Sequence, residues 1–169
     1  MRPVRQKNEH DPANGVWGDC HRAAVASVLE LPIEEVPHFG EGGPEDREFF
    51  RRERAFFATR GLLPISVPFG GSADAPLDAV LMTLKHHARG AWWLLGGRSP
   101  RGFNHTVVGF GGEIVHDPNE KGGGVVGPRD DGFYWVTFFA ALDPASTVYW
   151  RSTVDFHDVL RAVVANSAG

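Results

Sequence analysis

The chain of 169 residues has a single cysteine, two methionines and two tyrosines. One cysteine excludes an internal disulfide framework and a multi-cysteine zinc site. No apolar run approaches the ~20 residues needed to cross a bilayer as a helix. Residues 1–7 run into polar sequence without an apolar core, so no signal-peptide pattern is visible. A reducing cytoplasm is the expected location, and it would keep Cys20 as a free thiol. Strong charge is also missing. The 17 Lys and Arg against 21 Asp and Glu give a net charge of -4 and no general reason to expect nucleic-acid binding.

What is present is an ordinary globular composition, 42% hydrophobic, with 21 glycines and 12 prolines placed between periodic segments. That reads as one compact, loop-rich α+β domain over residues 1–169. The most informative stretch is residues 18–37, which contains Cys20. Ala23, Ala24, Ser27, Val28 and Leu31 recur at helical spacing, so a helix is expected over residues 19–31. Asp19 is a good N-cap, Gly18 allows a sharp turn and Pro32 ends the pattern. A thiol in the first turn of a helix feels the positive end of the dipole, which favours thiolate, the nucleophilic form.

Before this helix, residues 1–17 read as an extended arm and loop. Residues 32–37 read as a short helical turn and residues 38–43 as a loop. Residues 44–61 form a second helix, with Phe49, Phe50, Glu53, Phe56 and Phe57 tracing one face. Arg51, Arg52 and Arg54 are read as a solvated face. Residues 62–69 have strand character, but their prolines confine them to a sheet edge. Residues 76–88 form a third helix with Leu77, Val80, Leu81 and Leu84 inward. His86 and His87 at its end point ~100° apart and lack a third ligand, so no metal site is expected there.

Strands are expected at residues 91–95, 105–110 and 113–116, the last two joined by a turn at Gly111 and Gly112. Residues 96–102 and 122–132 are glycine-rich loops. Residues 133–142 and 147–150 suggest strands, although 138–142 also fits a short helix, and residues 154–164 suggest an amphipathic helix. Trp92, Trp93, Trp135 and Trp150 are read as core.

With a two-residue turn, Phe110 pairs with Glu113 and Gly109 with Ile114. His105 and Asp117 then meet at one end of the hairpin. A carboxylate there can hold an imidazole in one tautomer while its other nitrogen faces a thiol, so Cys20, His105 and Asp117 form a candidate triad. His116, beside Asp117, points to the other strand face and reads as structural, and His21 is a poor candidate base. A zinc site using the same three residues is the weaker alternative.

The segments Gly18-Asp-Cys-His-Arg-Ala-Ala-Val-Ala-Ser-Val-Leu-Glu-Leu-Pro-Ile-Glu-Glu-Val-Pro-His-Phe39, Asn104-His-Thr-Val-Val-Gly109 and Val115-His-Asp-Pro-Asn119 resemble papain-like proteins of bacteria and phages. The closest are the C39-peptidase-like group, relatives of the bacteriocin-leader peptidases. The resemblance implies a papain-like domain whose catalytic helix packs on an antiparallel sheet. It implies Cys20 as nucleophile, His105 as general base and acid, and Asp117 as orienter. It also implies an amide side chain in the oxyanion hole. Gln6, the chain's one glutamine, lies farther upstream than is usual, with an inserted loop at residues 10–15 to explain the distance; Asn14 is the alternative.

Asp19 and Asn104 are candidates to line the cleft, framed by glycine-rich loops at residues 40–43, 96–102 and 122–127. The expected function is hydrolysis of a peptide, isopeptide or other amide bond in a peptide or protein substrate. The alternatives are an acyl or transpeptidyl transferase and a catalytically silent binding module. No cofactor, metal, nucleic acid or membrane partner is expected, and the oligomeric state stays open.

Overall fold

The computed structural model describes residues 1–43, 46–72 and 75–142, with eight principal elements. These are α1 (Cys20–Leu29), α2 (Asp46–Ala58), β1 (Leu62–Gly70), α3 (Leu77–His87), β2 (Trp92–Arg98), β3 (Asn104–Phe110), β4 (Glu113–His116) and β5 (Phe133–Ala141). The strand expected at residues 147–150 and the helix expected at 154–164 lie outside the described residues.

The five strands form one antiparallel sheet in the order β1-β5-β2-β3-β4. The fold is therefore α+β. Alternation along the strands divides the core in two. Leu94, Val108 and Phe139 join α1 and α2 through Ala24, Val28 and Phe57. Trp93, Leu95, Val107 and Val136 join α3 through Val80 and Leu84. The sheet is thus covered by α1 and α2 on one face and by α3 on the other.

β1 is the outer strand, paired only with β5. Pro64 and Pro68 share one strand parity, so both missing N–H groups fall on the side away from β5, where no ladder bond is lost. The helix expected over residues 19–31 stops at Leu29, three residues before Pro32. Glu30 turns left-handed (φ 58°) and Leu31 N–H donates back to Ala26 O at 3.0 Å, closing the helix with a Schellman-like reversal.

Two boundaries depart from the pattern of the sequence. β2 continues beyond residue 95 through Gly96 and Gly97 to Arg98. Neighbours press against the strand at Gly97. A Cβ on Gly97 would stand 2.3 Å from Val125 Cγ1 and 2.7 Å from Gly127 O. Residues 133–141 are strand throughout, because β5 is hydrogen-bonded to β1 on one side and β2 on the other. The hairpin pairs Phe110 with Glu113 and Gly109 with Ile114 as expected, then a bulge moves Val108 opposite His116.

Candidate active site

Cys20 is the first residue of α1, and α1 lies across β3. His105 is the second residue of β3, and Asp117 follows β4 directly. The hairpin and the helix therefore deliver three side chains from distant sequence to one place. His105 Nε2 lies 2.7 Å from Asp117 Oδ1. Cys20 also favours charge on the ring, and with Nε2 engaged by the carboxylate, Nδ1 is the nitrogen left for the thiol. Burial opposes charge on His105. The hydrogen bond to Asp117 and the nearby Cys20 outweigh that and raise its pKa from 6.5 to about 9.

Asp117 is fixed in turn by the chain that follows it. Its Oδ1 accepts Asn119 N–H at 2.8 Å and its Oδ2 accepts Gly124 N–H at 3.0 Å. Burial would raise its pKa, but His105 and these two amides hold it below the ordinary carboxylate value. The glycine-rich loop at residues 122–127 thus has a different task from the expected one. It does not line the cleft; it clasps Asp117 and bridges to β2 through Arg98 N–H to Gly127 O at 2.8 Å.

The N-terminal arm is stitched beside Cys20. Asp11 and Val16 exchange two backbone hydrogen bonds at 2.9 Å each, so residues 11–16 close on themselves as a side loop. That closure brings Gln6 back to Cys20 despite their separation in sequence, and both line the same cleft. Gln6 Nε2 donates to Asn8 O at 3.3 Å, and Gln6 N–H to Pro118 O at 3.0 Å. Asn14 is placed otherwise. It is exposed, donates to Asp11 Oδ2 at 2.6 Å and does not line the cleft.

Asp19 keeps only part of what is expected of it. It occupies the N-cap position, but its side chain makes no capping bond, and it does not line the cleft. It is 1% exposed, and its Oδ1 accepts the amides of Lys7 and Asn8 at 2.9 and 2.8 Å. The carboxylate turns away from the helix because the arm offers it two orphan donors. Asn104 does line the cleft, from the start of β3. His116 is buried and bonds Val4 O at 2.9 Å, tying the arm to β4.

The cleft encloses about 550 Å³. Gly40 and Gly43 line it from one loop, and Gly96 and Gly102 from β2 and the turn after it. Trp135 is a wall of this cleft and not core, its indole N–H donating to Asp131 Oδ2 at 2.8 Å. Trp93 is fully buried. The sequence pattern gave no role to His10, whose ring stands against Trp17 and Phe103 at the rim. Burial and nearby Arg101 lower its pKa.

A second carboxylate–imidazole pair lies in the same cleft. Glu53, on the inward face of α2 and 2% exposed, meets His21 Nε2 at 2.7 Å. The signal for it was in the sequence: an acid in the middle of a phenylalanine face. His86 and His87 are exposed, and among the described residues no group of three or more His, Cys, Asp or Glu could hold a metal ion. No described helix is long and apolar enough to cross a membrane.

No protein-family model, curated protein or solved structure matches the chain.

Proposed function

We propose that the chain is a papain-like cysteine hydrolase acting on an amide bond of a peptide or protein. The observation that carries this reading is the buried imidazole of His105, held by Asp117 at 2.7 Å in the cleft that Cys20 lines from the first turn of α1. A buried histidine kept positive beside a thiol at a helix N-terminus is the pairing that makes sulfur a nucleophile at neutral pH.

In the reaction, the Cys20 thiolate adds to the substrate carbonyl. The oxyanion is met by the Cys20 backbone N–H, left unpaired by the start of the helix, and by the amide of Gln6. As the C–N bond breaks, His105 passes its proton to the leaving amine. Water, deprotonated by the now neutral His105, then attacks the thioester and releases the acid and the thiol. Asp117 keeps the ring oriented and stabilises its charged form throughout. An amine in place of water would make the same site a transferase.

The test is the pH dependence of Cys20 alkylation by iodoacetamide in the wild type and in His105→Ala. Fast labelling at pH 6 that collapses in the variant supports the pair. Slow labelling in both, rising only in alkaline solution, overturns the hydrolase reading in favour of a binding module.

A further inference from the structure

The inward face of α2 poses a problem that the triad does not solve. Phe56 and Phe57 bury against the core as an amphipathic helix requires, and Phe49 packs against it. Glu53 shares their face and is 2% exposed. Taking a carboxylate out of water is costly, and buried acids persist where something pairs with them or uses them. The partner here is His21, whose Nε2 lies 2.7 Å from Glu53 Oε1 and whose Nδ1 leans on Thr106 Oγ1 at 3.4 Å. Unlike lysine or arginine, a histidine balances a carboxylate only when both its nitrogens carry protons.

The surroundings of this pair are those of a binding pocket. Ser66 and Thr137, hydrogen-bonded to each other at 2.9 Å, add hydroxyls to the same cleft. Trp17, Phe49 and Phe50 add aromatic walls. Its two lining arginines, Arg101 and Arg129, come from the turn after β2 and the loop before β5, not from α1, α2 or β1.

We infer that Glu53, with His21, Ser66 and Thr137, forms a subsite for a cationic side chain of the substrate, a lysine or arginine near the bond to be cleaved. An ammonium or guanidinium group supplies several N–H donors to the carboxylate and hydroxyls and stacks its charge against aromatic faces. A neutral apolar chain of equal length supplies neither. This subsite rests on the hydrolase reading for its meaning, but not for its test.

The experiment uses short peptidyl chloromethyl ketones carrying Lys, Arg, Gln or norleucine at the first or second position before the reactive group. Alkylation of Cys20 is followed by intact mass, and each rate is divided by the iodoacetamide rate of the same protein. Lys or Arg at one of the two positions is expected to react about tenfold faster than norleucine or more, and Glu53→Gln to erase most of that preference. Equal or faster reaction of norleucine in the wild type overturns the subsite.

A second arm does not depend on sulfur chemistry or on Glu53→Gln folding. In Cys20→Ala, N-acetyl-lysine methylamide is expected to shift the fluorescence of the cleft tryptophans at lower concentration than the norleucine analogue. Equal response to both overturns the subsite even where alkylation supports the triad. Slow iodoacetamide labelling with lysine-selective binding would instead remove the hydrolase reading and keep the subsite.

Discussion

Asp19 and Asn8 hold each other from both ends: Asn8 N–H donates to Asp19 Oδ1 at 2.8 Å, and Asp19 N–H donates to Asn8 O at 3.2 Å. Because Asp19 precedes Cys20 and Asn8 O also accepts Gln6 Nε2, this exchange sets the distance between the thiol and the amide. Asp19→Ala would leave two part-buried backbone N–H groups, those of Lys7 and Asn8, without their acceptor. The expected loss is about 1–3 kcal/mol, read from urea unfolding. Asp19→Asn retains an oxygen acceptor and should lose less than half of that. Equal losses for the two would show that the negative charge, not the acceptor, is what the arm requires.

The raised pKa of His105 makes stability depend on pH in a definite direction. Its value of about 9 lies above the ordinary 6.5, so the native state holds this proton more tightly than the unfolded chain. The stabilisation is full below pH 6.5 and is lost as pH rises towards about 9. Asp117, whose pKa is lowered from 3.8, contributes in the opposite sense: its stabilisation is present above that value and lost as pH falls. Thermal unfolding across this range should show stability falling on the alkaline side in the wild type and a flatter profile there in His105→Ala. An unchanged alkaline slope in the variant would assign that titration to another group.

The meeting of His105 and Asp117 in the cleft that Cys20 lines was legible because each residue leaves a local mark. A cysteine before a small-residue helix, a histidine opening one hairpin strand and an aspartate closing the other can be placed by register alone. The β-bulge after Gly109 had no such mark, yet it did not separate His105 from Asp117. Asp19 takes the N-cap position its local sequence favours, but its side chain is claimed by the arm's two amides, 11 and 12 residues away, which local propensity does not show. The loop at residues 122–127 was misplaced for a related reason. Its glycines announce flexibility, but the use of Gly124 as a donor to Asp117 is a tertiary fact. Glu53 stood out as an anomaly on α2, and only the packing of α2 beside α1 shows that His21 answers it.

Gln6 and Asn14 make a paired test of the oxyanion assignment. Gln6 lines the cleft with Cys20, whereas Asn14 is spent on Asp11 at the tip of the side loop. Gln6→Ala should lower the turnover of p-nitrophenyl acetate by about 10²-fold, the usual cost of removing one oxyanion donor. Asn14→Ala should stay within about twofold, since a solvated loop hydrogen bond contributes little. A large loss in Asn14→Ala with none in Gln6→Ala would require the arm to rearrange when substrate binds.

Gly97 links the sheet to the triad through the loop behind it. A methyl group added there would lie 2.7 Å from the carbonyl oxygen of Gly127 and 2.3 Å from Val125 Cγ1, so backbone as well as side chain must move. Val125 and Gly127 follow Gly124, the donor to Asp117 Oδ2, and Gly97 itself stands opposite His105 in the β2–β3 register. Gly97→Ala is therefore expected to cost about 1–3 kcal/mol in urea unfolding. It should also slow Cys20 alkylation at pH 6, because a displaced loop loosens Asp117 and with it the charge on His105. Gly96→Ala is the control, since its added carbon would meet its nearest atoms at 3.6 Å or beyond, ordinary contact. If Gly97→Ala lowers stability but leaves the alkylation rate at wild-type level, the loop supports the sheet without tuning the triad.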